Sequence, residues 1–440
     1  MQLLLPAFNG FTGQKIVIEY TNSYFWISAI AFILFTGLLA GSYPAFYLSA
    51  FQPVRVLKGT FKAVHTSFSP RKVLVVIQFT IAIILIIATI FVNRQIQYSQ
   101  ERETGYSKDN LIYHFLTEDL EKNYPLIKNE LLSSGVATSV CKTSAPMTQG
   151  FSNSWGFDWK GKDPKTKIIF NRFCVDEDLA KTVGLTIVQG RDINITTYPT
   201  DSTACMINES ALKIMGFKDP IGQIIKDNGI DWHVVGVIKD FVLQSPFENT
   251  EPMVIEGAKG WFNVIHIKLN TQKSNAENLK VAEAIFKKHN YQFPFEYQFI
   301  DEEYAKKFND VQRVSKLISL FTGLIIFISC LGLFGLATYM AENRIKEIGV
   351  RKVLGASVFS ITALLSKDFL KLIIISIVIA SPIAYFVVKK WLESISYHVP
   401  VQLWVFMAAG FLSIAIAFIT VSYQAIKAAT ANPVRSLRSE

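Results

Sequence analysis

The side chains best suited to chemistry fall between residues 93 and 316: His114, His233, His266 and His289, with Cys141, Cys174 and Cys205 among them. Imidazole is a common zinc ligand and general base, and thiolates act as ligands, nucleophiles or redox partners, so their spacing is informative. A zinc protease needs two histidines one helical turn apart, a serine esterase a G-x-S-x-G elbow, and a thiol oxidoreductase a C-x-x-C pair. None of these spacings occurs in the chain. Cys330 lies apart, in an apolar run, as a small core residue. The acids of the segment are spread as on any solvated surface, and Asp240, directly after "VVGVIK", reads as a strand-end residue. Nucleotide phosphates cannot be cradled by a Walker loop either: "GFKDPIGQ" and "GKDPKTK" both lack the Gly-Lys-Ser/Thr ending. No catalytic, cofactor-binding or metal-ligating residue is assigned, and substrate-binding residues stay unknown.

The elements that hold this segment are more informative. Half of the 440 residues are apolar and only 18% are charged, where soluble domains carry about a quarter charged residues. Long apolar runs cover residues 24–48, 73–92, 317–340 and 401–426 without a charge. A fifth run, 372–388, is shorter and holds Pro382. A bilayer core takes about 20 apolar residues per helix, so the chain is expected to cross a membrane five times. No run carries Asp, Glu, Lys, Arg or His at its middle. Ion-coupled transporters usually keep such groups despite a cost of roughly 2.5–3.5 kcal/mol or more, so proton or sodium coupling is not expected. Small residues recur at helix-packing spacing, Gly37 and Gly41 in the first run and Ala409, Ser413 and Ala417 in the last.

Charge orients the runs. Arg55, Lys58, Lys62, Arg71 and Lys72 follow the first, Arg344, Lys346, Arg351, Lys352 and Lys367 the third, and Lys427, Arg435 and Arg438 the last. With alternating spans these all fall on one side, the cytoplasm by the positive-inside rule; Lys389 and Lys390 are the exception. Residues 93–316 hold 27 Lys and Arg against 29 Asp and Glu, so of the chain's 44 and 35 only 17 and 6 lie elsewhere. The net charge of +9 is therefore a topology signal, and nucleic acid is not a partner. The start, "MQLLLPAFNGF", lacks the basic end and length of a cleaved signal peptide.

Between the second and third runs lies a soluble, extracytoplasmic stretch of about 220 residues. In "ESALKIMGFKDPIGQIIKDNGIDWHVVGVIKDF" we read a helix and two strands joined at Asp227-Asn228-Gly229. "NLIYHF" and "VATSVCK" read as strands around the helical "EDLEKNYPLIKNELL". "NVIHIKL", a helix over 276–289 and "FEYQFI" repeat that order. This predicts an α+β domain, with room for one lobe inserted in another. Residues 93–103 and 301–316 read as helical stalks, the second running straight into the third span. The fold class is thus an α-helical membrane bundle of about five transmembrane helices with a large α+β extracytoplasmic domain on helical stalks.

The cytoplasmic segment "AENRIKEIGVRKVLGAS", 341–357, predicts a short helix with Ile345, Ile348, Val353 and Leu354 as an apolar stripe. Arg344, Lys346, Glu347, Arg351 and Lys352 surround it, Gly349 and Gly355 punctuate it, and Gly355 is suited to serve as C-cap. Such a helix either lies on anionic lipid or docks a partner. "ENRIKEIGVRKVLGAS" after a span resembles the coupling segment of FtsX-like permeases of ABC transporters, the MacB-type group. "NPVRSLR" near the end resembles the close of such a module, and "VDEDLAKTVGLTIVQGRDI", "INESALKIMGFKDPIGQII" and "VVGVIKDF" resemble its periplasmic core domain. The resemblance runs over residues 71–440.

It implies one span over 71–92, a periplasmic MacB-type core domain with stalks over 93–316, and a permease domain of three spans over 317–440. Residues 341–357 would form the coupling helix, with Arg344, Glu347, Ile348, Gly349, Arg351, Lys352, Leu354 and Gly355 contacting a separate cytoplasmic ABC ATPase. That partner would bind the ATP, leaving this chain without a cofactor or catalytic role. The resemblance further implies a multi-pass protein of the bacterial inner membrane, in a lipid bilayer, with a second permease module that is fused, homodimeric or heterodimeric. The function it implies is ATP-driven export or extraction of peptide, antibiotic, lipid or lipoprotein. The alternative is a non-transporting mechanotransmission regulator of a periplasmic cell-wall hydrolase, and a periplasmic adaptor or hydrolase is a further partner. The N-terminal "SYPAFYLSAFQPVRVLKG" matches "SYQAIKAATANPVRSLRS" at a constant offset of 380, aligning Pro53, Val54 and Arg55 with Pro433, Val434 and Arg435. Residues 1–59 then read as the tail of a preceding module, with Met1 a truncation or internal start; the alternative is a five-span protein with a degenerate repeat.

Overall fold

A computed structural model describes residues 2, 5–13, 15–49, 70–165 and 167–430. The "QPVRVLKG" and "NPVRSLR" segments, and with them the basic residues Arg55, Lys58, Lys62, Arg435 and Arg438, lie outside the described residues. Contacts divide the chain into two compact units, one of Met1–Val92, Arg313–Val388 and Val401–Glu440, the other of Asn93–Gln312 and Lys389–Pro400. The chain opens with α1 (Leu5–Thr12), α2 (Ser23–Ser49) and α3 (Pro70–Gln100). No described residue of the apolar window of α2 is buried, and a side chain at Gly37 or Gly41 would meet nothing within 4 Å. The packing role expected of these two glycines is therefore not seen among the described residues.

The second unit is built by nesting. β1 (Leu111–Phe115), α4 (Glu118–Lys122), α5 (Tyr124–Ser133) and β2 (Ala137–Thr143) form the first half of a small lobe. The expected single helix is two, because Pro125 has no amide proton to donate within a continuous helix and Asn123 caps both pieces. The chain then leaves to build a second lobe from β3 (Ser152–Ser154), β4 (Asp158–Trp159), β5 (Phe170–Cys174), α6 (Leu179–Val183), β6 (Ile187–Gly190), β7 (Ala204–Asn208), α7 (Glu209–Met215), β8 (Ile224–Asp227), β9 (Ile230–Ile238) and β10 (Met253–Glu256). It returns as β11 (Val264–Leu269), α8 (Asn275–His289), β12 (Gln298–Phe299) and α9 (Ile300–Lys306). The small sheet has the order β12-β1-β11-β2 with antiparallel neighbours throughout, a split β-α-β arrangement. β1 and β2, consecutive in this lobe, are thus separated by β11, a strand more than 120 residues further on.

The larger sheet has eight strands in the order β3-β5-β10-β7-β9-β8-β4, with β6 also on β9. The β8–β9 hairpin turns at Asn228 (φ 51°) and Gly229 (φ 78°), the left-handed pair that a two-residue type I′ turn demands. Leu111, Cys141, Phe173, Met206 and Ile255 belong to one core that joins the lobes, while Ile127, Leu131, Ile267 and Phe286 fill a second under the helices of the small lobe. α8 starts with a capping box, Ser274 with Glu277.

After α9 the helix does not run straight on. Lys307 and Phe308 break it, and α10 (Asn309–Asn343) begins anew. Then come α11 (Ile345–Val353), α12 (Val358–Glu393), continuous through Pro382, and α13 (Leu403–Thr430). Together with α2 and α3, the helices α10, α12 and α13 make five among the described residues that are long and apolar enough to cross a membrane. Four of them pack around Val75, Phe79, Leu333, Leu336, Phe369, Ile373 and Val421. Ala409, Ser413 and Ala417 are buried along α13, in line with the small-residue pattern. Hydroxyls bridge the helices: Thr89 Oγ1 lies 3.0 Å from Thr322 Oγ1, and Ser376 Oγ donates to the Val76 carbonyl at 3.1 Å.

Candidate functional site

The four histidines do not converge. His266 is fully buried; its Nε2 accepts from the Met147 amide at 3.3 Å and its Nδ1 donates to Thr143 Oγ1, which itself donates to the Ala145 carbonyl. Burial pushes the imidazole down to about 3, so it stays neutral and ties β11 to the point where the chain departs for the inserted lobe. His114 packs between Phe286 and Phe295 with Nδ1 on the Glu296 carbonyl, and burial lowers it too. His289 meets Glu130 at 3.0 Å, at the end of α8. Asp240 follows β9 and accepts from both the amide and the hydroxyl of Ser210, fixing the start of α7. Cys141, Cys174 and Cys205 are buried, and Cys330 is half-buried. The bonds of His266 and Asp240 thus serve the architecture of the domain.

The segment 341–357 folds as a helix with defined ends. Arg344 caps it and pairs with Asp368 of α12 at 2.9 Å. Glu347 and Arg351, four residues apart on the exposed side, pair at 2.8 Å. At the other end the Gly355 amide donates to the Lys352 carbonyl at 3.1 Å and the Ala356 amide to the Arg351 carbonyl at 2.9 Å. With Gly355 at φ +88° and Leu354 as C-cap, this is a Schellman motif. Ser357 Oγ then accepts from the Ser360 amide at 3.2 Å and opens α12, so "LGAS" stops one helix and starts the next.

The side chains of Ile345 and Lys346 lie outside those described, and the rest of the expected stripe, Ile348, Val353 and Leu354, does not hold together. Ile348 (7% exposed) and Gly349 are buried, and the helix contacts α13. Val353 (67%) and Leu354 (80%) point outward with Val350 and with Phe359 of α12. At 100° per residue Val350, Val353 and Leu354 share one face, and Ile348 lies on another. The result is a helix seated by one side that presents an apolar outer face flanked by the Glu347–Arg351 pair.

A second cluster, within the unit of Asn93–Gln312 and Lys389–Pro400, draws together four stretches distant in sequence. Gln95 near the end of α3 donates to the Tyr397 carbonyl at 2.8 Å and accepts from the Val399 amide at 2.9 Å. Tyr98 stacks on Tyr397 with ring centroids 4.7 Å apart. The Arg102 guanidinium also lies over the Tyr397 ring, 4.2 Å from its centroid, and donates to the carbonyls of Pro246 at 3.2 Å and Glu248 at 2.6 Å. The Tyr397 amide donates to the Phe247 carbonyl at 3.0 Å. Lys307, at the break between α9 and α10, donates to the carbonyls of Leu243 and Gln244, and Phe308 packs on Phe247. The loop after α12, the loop after β9 and the inner ends of both stalks are thereby clamped to one another. Burial lowers the Lys307 ammonium to about 8. None of these residues was singled out from the sequence; the one signal was the pair Lys389 and Lys390, which breaks the charge rule beside the 394–400 loop.

Comparison with known proteins finds two family models along the chain. Residues 73–277 match the family model of the MacB-like periplasmic core domain, and residues 319–433 that of the FtsX-like permease C-terminal. Among solved structures, the periplasmic region of MacB from Actinobacillus actinomycetemcomitans is similar at 16% identity, over 47% of this chain and 96% of that one, with a TM-score of 0.34. The extracellular domain of the noncanonic ABC-type transporter YknZ from Gram-positive bacteria is similar at 15% identity, over 43% and 96%, with a TM-score of 0.29. No curated protein matches the chain in sequence. Permeases of this kind generally pair with a cytoplasmic ABC ATPase. The two family models, in this order and between apolar helices, make the chain a multi-pass membrane protein of the FtsX-like, MacB-type family of ABC transporter permeases.

Proposed function

We propose that the chain is the permease subunit of an ATP-driven transporter of the bacterial inner membrane, and that it converts ATP hydrolysis by a partner subunit into movement of the periplasmic domain. The observation that carries this reading is the continuity of α3 and α10 with the clamp: α3 reaches Gln95 and Tyr98 unbroken, and α10 begins directly after Lys307 and Phe308. In this reading Arg344, Glu347, Ile348, Gly349, Arg351, Lys352, Leu354 and Gly355 form the docking element. Ile348, Gly349 and the Arg344–Asp368 pair seat α11, while Val350, Val353 and Leu354 enter an apolar groove of the ATPase. The cargo is a peptide, antibiotic, lipid or lipoprotein handled on the periplasmic side, since the spans carry no charge at their middles. Residues 1–59 act as the tail of a preceding module.

The test is purification from native membranes in mild detergent, with the wild type beside Val353→Asp/Leu354→Asp and Glu347→Arg/Arg351→Glu. Recovery of a Walker-type ATPase with the wild type, weakened by the first pair and by the second, supports the docking role. Equal recovery with all three chains removes it. An associated cell-wall hydrolase whose activity follows ATP, without cargo movement, would replace transport by mechanical regulation.

A further inference from the structure

The small lobe of the outer domain contains an open cleft of about 790 Å³ between α8, the 294–299 segment and the start of α9. Its volume lies in the range of sites that enclose small ligands rather than the flat area of a protein–protein interface. One wall is a ladder of rings. Phe295 stacks on Phe286 at 4.5 Å, Tyr297 follows Phe295 at 5.3 Å, and Phe299 meets Tyr297 edge-on at 5.7 Å. Phe295, Tyr297 and Phe299 alternate along the chain and all line the cleft, as the two-residue period of an extended segment requires.

The opposite character surrounds that wall. Asp109, Glu283, Asp301 and Glu302 line the cleft, and Lys280 is the one basic residue among the described lining. The carboxylates of Asp109, Glu283 and Glu302 form no hydrogen bond or ion pair among the described residues; Lys268 and Lys306 act on Asp109 and Glu302 through charge alone, and the lining itself sets four acids against Lys280. β12 also ends its sheet: it pairs with β1 on one side, and no described strand covers the other. An occupant would therefore need positive charge for the acids, flat or branched apolar groups for the rings, and main-chain donors and acceptors for a free strand edge.

We propose that this cleft binds a short cationic peptide in extended form, with basic side chains facing Asp109, Glu283 and Glu302 and apolar ones against Phe295, Tyr297 and Phe299. Main-chain bonds to a sheet edge supply affinity and alternate side chains supply selection, the usual division in strand addition. As a binding site the cleft is independent of the ATPase; as an entry point for cargo it rests on the permease reading above. Because the carboxylates are exposed, binding weakens with added salt.

The experiment uses the full chain in nanodiscs of zwitterionic lipid, without ATP or a partner, and a labelled hexapeptide alternating lysine and phenylalanine. Fluorescence anisotropy is expected to show saturable binding that weakens at least tenfold in Glu283→Gln/Glu302→Gln and again in Tyr297→Ser. All three side chains are exposed, so the thermal transition of each variant should match the wild type. The counterpart peptide with glutamate for lysine should not bind. Equal affinity for wild type and the Glu283→Gln/Glu302→Gln variant, equal binding of the glutamate peptide, or no saturation into the millimolar range would each overturn the proposal. Loss of ATPase recovery in the earlier purification would leave this binding result untouched.

Discussion

Arg102 offers the sharpest test of the clamp, because its side chain is the only one that reaches both the 245–250 loop and the ring of Tyr397 among the described contacts. In Arg102→Ala the 2.6 Å bond to the Glu248 carbonyl is lost, together with longer bonds to Pro246 (3.2 Å) and Thr250 (3.3 Å) and the ring contact. A hydrogen bond from a charged donor contributes about 1.5–3 kcal/mol, and an exposed cation–π contact about 0.5–1 kcal/mol. Counting the short bond and the ring contact in full, and the longer bonds little because the site is partly open to water, gives about 2–4 kcal/mol. That corresponds to a roughly 30- to 900-fold increase in the local opening equilibrium. Hydrogen exchange of the full chain in detergent reads it directly: the amide of Tyr397, which donates to the Phe247 carbonyl, should exchange faster by that factor. Amides of β7 and β9 should keep their protection. Arg102→Lys should fall between, since an ammonium keeps the charge and loses the planar fork. Unchanged protection at Tyr397, or an equal loss throughout the domain, would refute the clamp.

Three further outcomes follow from the same geometry. Gly355→Ala should destabilise the α11–α12 junction by about 1–2 kcal/mol, because φ is +88° and the Cβ strains the backbone although nothing lies within 4 Å of it; Gly355→Asn should recover part of that loss, and equal thermal transitions for the three chains would remove the Schellman assignment. This differs from a size rule, under which alanine would be tolerated and only bulky residues excluded. Burial lowers Lys307 from 10.5 to about 8, so between these values the unfolded chain holds a proton that the folded chain has released, and stability should rise with pH across that window; in Lys307→Met the denaturation slope from pH 8 to 10.5 should flatten. His266 is lowered from 6.5 to about 3, so stability should fall as pH drops from 6.5 towards 3, by a few kcal/mol in all; an unchanged acid limb in His266→Gln would exclude this histidine as its source.

Some of this architecture is carried by neighbouring residues alone. An apolar run long enough for a bilayer forms a helix because its backbone must bond internally there, so the five spans are legible from hydropathy. Pro382 did not shorten α12, because helices in an apolar setting tolerate proline where neighbours compensate. Asn228-Gly229 and Gly355 are legible for a related reason: each demands a left-handed backbone that few residues accept. The missing phosphate loop and the basic 341–357 segment likewise lie in contiguous residues.

Other features required the chain to come back on itself. The order β12-β1-β11-β2 depends on a strand that returns after the inserted lobe, and no local pattern records which strand it will pair with. The clamp joins Gln95 to Val399 and Arg102 to Tyr397, contacts about 300 residues apart whose side chains look like ordinary polar surface in sequence. Periodicity also places Ile348, Val353 and Leu354 of α11 on one stripe, whereas packing against α13 buries Ile348 and leaves Val353 and Leu354 outside. The spans, the Asn228-Gly229 turn and the Gly355 cap were therefore legible from local backbone preference, while the break at Lys307–Phe308, the lobe insertion, the clamp and the exposed face of α11 were decided by which distant surfaces could be buried together.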